Sequence, residues 1–179
     1  MKEYTFITEL VGTKHYCINQ FESSSLEKAE FNWATEIDIP YIKNRRKMIL
    51  KECIKRDILS PSKIQRIKGV YFVDCFLHGK YIICNIFISS INNAIKQELY
   101  SFVCLVEGGT YIKQFKAKNG YEAIAKWYKC IQHSSKTHIK IKEYAKIIER
   151  EKIKPSKIDG LKNVFRISIN NCILFIINH

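Results

Sequence analysis

Histidine and cysteine are the side chains of this sequence that come closest to forming a site for chemistry. His15 and Cys17 alternate along a predicted strand, so they share one face and are a possible start of a metal site. A zinc ion needs two further ligands, and none follows at a spacing typical of zinc sites. His133 and His138 flank a polar stretch, which serves either acid–base chemistry with a tyrosine or, the interpretation we favour, a solvated loop. We predict no metal ion and no other cofactor.

The sequence motifs of common enzymes are missing. There is no GxxxxGK[ST] phosphate-binding loop, no GxGxxG, no GxSxG nucleophile elbow and no HExxH zinc motif. No pair of carboxylates has a setting typical of general acid–base catalysis. We therefore predict that the chain is not an enzyme.

The cysteines are predicted to be reduced core residues. No two of them lie within four residues of each other, so no CxxC pair exists, and their number is odd. Most are flanked by Ile, Val, Phe or Tyr, where a free thiol behaves as a small apolar side chain. The cysteines are Cys17, Cys53, Cys75, Cys84, Cys104, Cys130 and Cys172.

The elements that position these residues follow from an internal duplication. A shift of 94 residues places Trp33 on Trp127, and it places residues 18–21 on residues 112–115. The Pro-Ser-Lys-Ile sequence at 61–64 then falls on the same four residues at 155–158. One constant offset over half a chain indicates duplication. We assign the halves to residues 1–90 and 91–179 and expect them to form one compact unit.

Each half is predicted to begin with a hairpin and one amphipathic helix. Alternating apolar residues predict strands over 4–11 and 15–21, and over 100–106 and 110–117 around Gly108-Gly109. Ser24-Ser25 and Asn119 are typical helix caps. Helices follow them, with Trp33 and Trp127 as core residues.

A second helix and a second hairpin complete each half. The helices are predicted over about 41–57 and 139–152, each ending before the Pro-Ser-Lys-Ile turn. The last hairpins span 69–89 around His78-Gly79 and 163–178 around Asn170-Asn171. Residues 91–99 are predicted to be a helical connector.

The predicted fold is α+β: a duplicated β-β-α-α-β-β unit with an antiparallel sheet and helices packed on it. The strands near 81–88 and 172–177 are apolar on both faces, which is typical of strands buried on both sides. We expect the second cover to come from packing of the halves about a pseudo-twofold axis. No apolar run approaches the roughly 18 residues of a membrane span, and the N-terminus does not resemble a signal peptide. We predict a cytoplasmic protein with no membrane partner.

Positive charge is the dominant compositional feature. The chain has 30 Lys and Arg residues against 17 Asp and Glu residues, a formal net charge of +13. Such an excess indicates a nucleic acid or an acidic protein as partner. By type the bases are 24 Lys and 6 Arg. An AT-rich genome accounts for that preference for Lys, but not for the shortage of acids.

The second helix of each half carries a basic stripe, with side chains spaced at i, i+4 and i+8. Under the shift of 94 the two stripes differ by one residue, which is about 100° around a helix. A solvated helix face is the alternative interpretation of either stripe. The candidate partner-binding residues are Arg45, Arg46, Lys47, Lys51, Lys55, Lys142, Lys146 and Arg150.

A stretch of about 20 residues resembles a known group of bacterial proteins. It runs from Gly108-Gly109-Thr110-Tyr111-Ile112-Lys113-Gln114 through Ala117 and Glu122-Ala123 to Trp127, and 15–33 echoes it. It resembles the hairpin-and-helix opening of immunity proteins of polymorphic toxins, as in contact-dependent growth inhibition. The resemblance implies a non-enzymatic inhibitor that binds a partner toxin, for example a nuclease.

The basic charge shapes this interpretation. Inhibitors of basic nucleases are usually acidic, so a basic inhibitor implies a toxin with an acidic patch or binding away from the nucleic-acid groove. The alternative function is RNA or duplex binding by the basic helices. Against it, the sequence lacks an RNP pattern, a GxxG loop and a helix-turn-helix.

Overall fold

The chain divides into two compact units, Met1–Ile91 and Asn92–His179. They are named the first and the second unit below. The computed structural model describes residues 1–13, 15–40, 42–65, 67–77, 79–89, 98–106, 109–134, 137–169 and 172–179. Each unit is a five-stranded antiparallel sheet with two helices, so the predicted duplicated α+β fold is confirmed.

The first unit has its strands in the order β2-β1-β5-β4-β3. Its last hairpin therefore inserts β5 beside β1, and the two strands pair from Glu3 with Ser89 to Leu10 with Ile82. Its elements are β1 (Lys2–Leu10), β2 (Tyr16–Ser23), α1 (Leu26–Glu36), α2 (Asn44–Lys55), β3 (Ser62–Lys63), β4 (Val70–Leu77) and β5 (Lys80–Ser89).

The second unit repeats this order as β7-β6-β10-β9-β8. Its central pairing joins β10 to β6, from Ile173 with Leu105 to Asn178 with Tyr100. Its elements are β6 (Glu98–Val106), β7 (Gly109–Ala117), α3 (Gly120–His133), α4 (Ile139–Arg150), β8 (Ser156–Lys157), β9 (Val164–Ile169) and β10 (Cys172–Asn178).

The structure adds one short strand to each predicted unit. The Pro-Ser-Lys-Ile segments were predicted as turns, but Ser62 pairs with Phe72 and Ser156 pairs with Arg166 at the edge of each sheet. Two residues are too few to show an alternating pattern. The predicted helical connector over 91–99 is wrong at its end, because Glu98 and Leu99 already belong to β6. Residues 91–97, like His78, Gly108, Asn170 and Asn171 of the predicted turns, lie outside the described residues.

Side-chain caps start the first helix of each unit as predicted. The Ser25 hydroxyl accepts from the Lys28 backbone N–H at 3.3 Å, and the Asn119 side chain accepts from that of Glu122 at 2.9 Å. The Glu122 carboxylate in turn accepts from the Lys118 N–H at 2.9 Å. These bonds satisfy donors that a helix start otherwise leaves unpaired.

The two tryptophans hold the first helix of each unit to the middle of its sheet. Trp33 stacks on Phe6 with ring centroids 5.8 Å apart, and Trp127 stacks on Phe102 at 5.7 Å. Both indoles are buried, which confirms their predicted core role. In the second unit, the Tyr144 hydroxyl also donates to the Ile167 carbonyl at 2.7 Å and so ties α4 to β9.

The central strands are buried on both faces, as their composition predicted. In β5, Ile86 faces the helices and Phe87 the opposite side, and both are fully buried. In β10 the same holds for Leu174 and Phe175. The pseudo-twofold arrangement and the single compact body stay predictions.

The polar environment of the two tryptophans differs between the units. The Trp33 indole N–H donates to the Thr8 hydroxyl at 2.9 Å, and this hydroxyl donates to the Cys84 thiol at 3.3 Å. In the second unit Cys104 stands at the place of Thr8, since each lies two residues after the stacked Phe. The buried Trp127 N–H has no hydrogen-bond partner among the described residues.

We expect Thr8→Val to lower the free energy of unfolding by about 1–3 kcal/mol, because it leaves a buried indole N–H without an acceptor. Cys104→Val should lower the free energy of unfolding clearly less, because the Trp127 N–H has no hydrogen bond among the described residues that could be lost. Thr8→Ser keeps the hydroxyl and is the control. Urea denaturation measures all three. Equal losses in the two valine variants would contradict the role assigned to Thr8.

Candidate functional site

The predicted basic stripe of the first unit lies on α2, next to α1. The Nζ atom of Lys51 lies 5.3 Å from the centroid of the Phe31 ring, and that of Lys55 lies 5.7 Å from it. Two ammonium groups therefore share the face of one ring, a contact worth about 0.5–1 kcal/mol at an exposed position. The structure brings together two stripe residues and an aromatic side chain that sequence reasoning had not included.

The other basic residues of α2 are spread over its outer surface. Arg45 is exposed in the first turn, and Arg46 and Lys47 are half-buried. The Arg56 guanidinium follows the helix and lies 2.6 Å from the Glu52 carboxylate, with both side chains mostly in solvent. An exposed pair of this kind contributes little to stability. Among the candidate bases of α2, Arg45 and Lys55 are thus the exposed ones.

The predicted stripe on α4 has different surroundings. Lys146 and Arg150 are exposed, and Lys142 is half-buried. The Arg150 guanidinium lies 2.8 Å from the Glu151 carboxylate. The Lys142 backbone carbonyl accepts from the Gln132 side chain at 3.2 Å, which joins α4 to the end of α3.

The two stripes occupy different positions in the repeat. The helix caps Lys43 and His138 are 95 residues apart, but the buried positions Leu50 and Ile54 correspond to Tyr144 and Ile148 at the offset of 94. At this offset the three stripe lysines of α2 correspond to Ile141, Ala145 and Glu149, of which the first two are buried. The face of α2 that carries lysines is therefore the face that α4 turns toward its own unit.

Burial makes four of the thiols poor nucleophiles, as their pKa values indicate. It raises the pKa of Cys17 and of Cys75 to about 11, and that of Cys104 to about 12. The pKa of the fully buried Cys84 is also well above its usual value, for the same reason. A reactive cysteine needs the opposite shift, since the thiolate is the nucleophile. All seven cysteines are free thiols in the structure.

We expect seven titratable thiols in protein that is purified without reductant and then denatured. In the folded protein, Cys84 and Cys104 should react last with a thiol reagent, because both side chains are fully buried. One absorbance trace of the folded protein and one of the denatured protein give the reaction rate and the number of thiols that react. A count below seven in the denatured protein would show a disulfide and contradict the prediction.

His133 and His138, the two histidines of the predicted polar stretch, both stand at helix ends. His138 caps α4, because its Nδ1 atom accepts from the Lys140 N–H at 3.3 Å. His133 ends α3. The Cys17 thiol donates to the Asn19 side chain at 3.4 Å. Among the described residues, no three His, Cys, Asp or Glu side chains are grouped so as to hold a metal ion.

A buried carboxyl group is the feature of the first unit that the sequence reasoning missed. Glu30 lies on α1 and is 5 % exposed. Burial raises its pKa to about 8, with smaller contributions from the negative charges of Glu27 and Asp57. The sequence contained a sign of this burial. Position 30 lies next to the core residue Ala29, and at the shift of 94 residues it corresponds to the apolar Ile124.

The raised pKa of Glu30 makes stability depend on pH. Between about 4.5 and 8 the unfolded chain ionises Glu30 while the folded chain keeps it neutral. The unfolded state then binds fewer protons, so stability falls as pH rises through this window. We expect Glu30→Gln to raise the melting temperature at pH 8 and to change it little at pH 4.

Glu122→Gln is the control for this effect. Its hydrogen bonds from the Lys126 side chain and the Lys118 N–H lower the pKa of that carboxyl group, so the substitution should give no gain at pH 8. Melting temperatures of both variants and the parent across this pH range test the prediction. A gain for Glu30→Gln that is the same at pH 4 and pH 8 would contradict it.

Comparison of the chain with protein-family models, with curated proteins and with solved structures finds no significant match. Among the helices that the structure describes, none combines the length and the apolar character needed to cross a membrane.

Proposed function

We propose that the chain is a non-enzymatic immunity protein that binds a partner toxin in the cytoplasm and blocks its activity. The observation that carries this proposal is the surface where α2 meets α1. There Lys51 and Lys55 lie over the Phe31 ring. Side chains held in one geometry before binding lose less conformational entropy when a partner arrives. Such a surface favours recognition of one protein over diffuse attraction to any polyanion.

Charge defines the kind of partner. Arg45 and Lys55 are exposed on α2, and Lys47 is partly exposed between them. A basic helix of this kind complements an acidic patch, and such complementarity acts mainly on the association rate and on specificity. If the toxin is a nuclease, as the sequence resemblance implies, the contact surface is its acidic face and not its nucleic-acid groove.

The state of the potential nucleophiles supports a role in binding. The thiols with shifted pKa values are shifted upward by burial, away from the thiolate form. His138 has a structural task as a helix cap. The buried thiols and the capping His138 are therefore poorly suited to covalent or acid–base catalysis.

Nucleic-acid binding would use the same basic helix, so the experiment must separate the two functions. We expect Lys47→Glu, Lys51→Glu and Lys55→Glu together to slow association with the partner toxin, which is to be sought first among the products of neighbouring genes. The effect should shrink as salt rises, because salt screens exposed charges. Association rates by surface plasmon resonance and growth rescue on co-expression with that toxin are the two measurements.

The matched control reverses Lys2, Lys63 and Lys68, three exposed lysines of the same unit outside α1 and α2, with the same change in net charge. It should retain most of the association rate. Filter binding of the parent chain to duplex DNA and to RNA, at about 50 and about 200 mM salt, tests the alternative. Near-micromolar binding with a steep salt slope, together with failure to rescue growth, would contradict the immunity function.

A further inference from the structure

The first helix of the second unit has two apolar stripes, whereas a surface helix needs one. The core stripe holds Ala123, Trp127 and Ile131, which are all fully buried. The second stripe, at i, i+3, i+4 and i+7, is Tyr121, Ile124, Ala125 and Tyr128, and none of these is buried. Tyr121 is 72 % exposed. Ile124 and Tyr128 pack partly against the core of their own unit, whereas Ala125, like Tyr121, is exposed.

The second stripe forms one wall of a groove between α3 and α4. The two helices are antiparallel neighbours, since only five residues separate His133 from Ile139. The groove has a volume of about 460 Å³, within the range of about 300–1,000 Å³ that is typical of ligand sites. Ala145 and Ile148 of α4 and Ile153 after it line the other side.

In the first unit a larger side chain stands at the position of Ala125. Position 125 corresponds to Phe31, and Ala145 corresponds to Lys51, whose ammonium group lies over the Phe31 ring at 5.3 Å. The second stripe is also absent there, because Tyr121 and Ile124 correspond to Glu27 and Glu30. A cavity of about 510 Å³ also lies beside Phe31, Ile54 and Lys55 in the first unit. The second-unit groove is distinguished by its lining, in which an alanine replaces the Phe31 ring and two apolar residues replace acids.

The rim of the groove is basic. Lys129, Lys152 and Lys154 line it and are exposed. Among the described lining residues, Glu149 is the one acid, and its carboxylate accepts a hydrogen bond from the Tyr128 hydroxyl, which raises the pKa of that tyrosine. An apolar floor between lysines complements an occupant that is apolar on one side and acidic at its edges.

We propose that the α3–α4 groove docks an acidic amphipathic helix of a partner protein. The inference rests on the proposed function for the claim that the occupant belongs to a protein, and it names the chemistry of the segment that is recognised. The stripe from Tyr121 to Tyr128 is about 10 Å long at 1.5 Å per residue. This length matches apolar anchors at i, i+3 or i+4, and i+7 of a docked helix.

The test is a display selection of random 16-residue peptides on the purified full chain. Enriched peptides should be acidic and carry large apolar residues at helical spacing. Ala125→Phe, which copies the first unit, should weaken their binding at least about tenfold, as expected for an anchor pocket that is filled. Ala125 is exposed, so the substitution leaves the core intact, and an unchanged melting temperature verifies this.

A charge variant tests the rim independently of packing. Lys129→Glu, Lys152→Glu and Lys154→Glu together should weaken the selected peptides about tenfold at low salt and less at high salt. The matched control reverses Lys116, Lys118 and Lys157, which are exposed in the same unit and do not line the groove. It should change peptide binding less than about twofold.

Three outcomes would overturn the docking proposal: no enriched peptide, peptides without acidic residues, or peptides that bind Ala125→Phe as tightly as the parent. None of them affects the proposed immunity function, which is judged by growth rescue and by the lysines of α2. Conversely, acidic peptides that require the open groove would support the docking site even if the neighbouring toxin is not neutralised.

Discussion

The stacking of one tryptophan on one phenylalanine organises each unit. Trp33 and Phe6 lie nearly parallel, at 9°, and Trp127 and Phe102 at 10°. A third ring closes the cluster edge-on in both units, Phe21 at 5.7 Å from Phe6 and Phe115 at 5.7 Å from Phe102. This geometry fixes the rotation of the first helix over the first hairpin, and burial of such large rings dominates core energetics. The second helix of each unit then packs against the first helix, whose position this cluster determines.

Because this cluster is kept in both units, the positions around it can diverge without loss of the fold. Thr8 and Cys104 lie against equivalent tryptophans, yet one accepts a hydrogen bond and the other does not. Glu30 is buried where Ile124 lines an open groove. Each of these differences changes the free energy of unfolding locally, and by less than the burial of a Trp–Phe–Phe cluster contributes to it. Divergence therefore extends to interior positions such as Thr8 and Glu30 without a change of fold.

The sequence predicted the large elements because the duplication showed each of them twice. Ser25 and Asn119 cap helices that begin 94 residues apart, so a weak pattern in one half is supported by the other. The two-residue strands at Ser62 and Ser156 were missed, since edge pairing of this length depends on the neighbouring strand and not on local periodicity.

Most of the candidate site could not be predicted from the sequence, because it depends on how the helices pack. The basic stripes were visible from their spacing, but their contact with Phe31 depends on how α1 and α2 pack. The groove is lined by Ala125 and Ala145, and an alanine on a helix indicates nothing by itself. Only comparison with Phe31 and Lys51 of the first unit shows that larger side chains can stand at these two positions.

Ion pairs contribute little to the stability of either unit. The ion pairs that the structure places on the helices, such as Arg56 with Glu52 and Arg150 with Glu151, are exposed. Exposed pairs contribute about 0–1 kcal/mol each. Apolar burial therefore specifies the fold, and the lysines of α2 can change without unfolding it. A codon bias toward lysine supplies such residues at random, but it does not by itself explain why Lys51 and Lys55 both lie over the Phe31 ring.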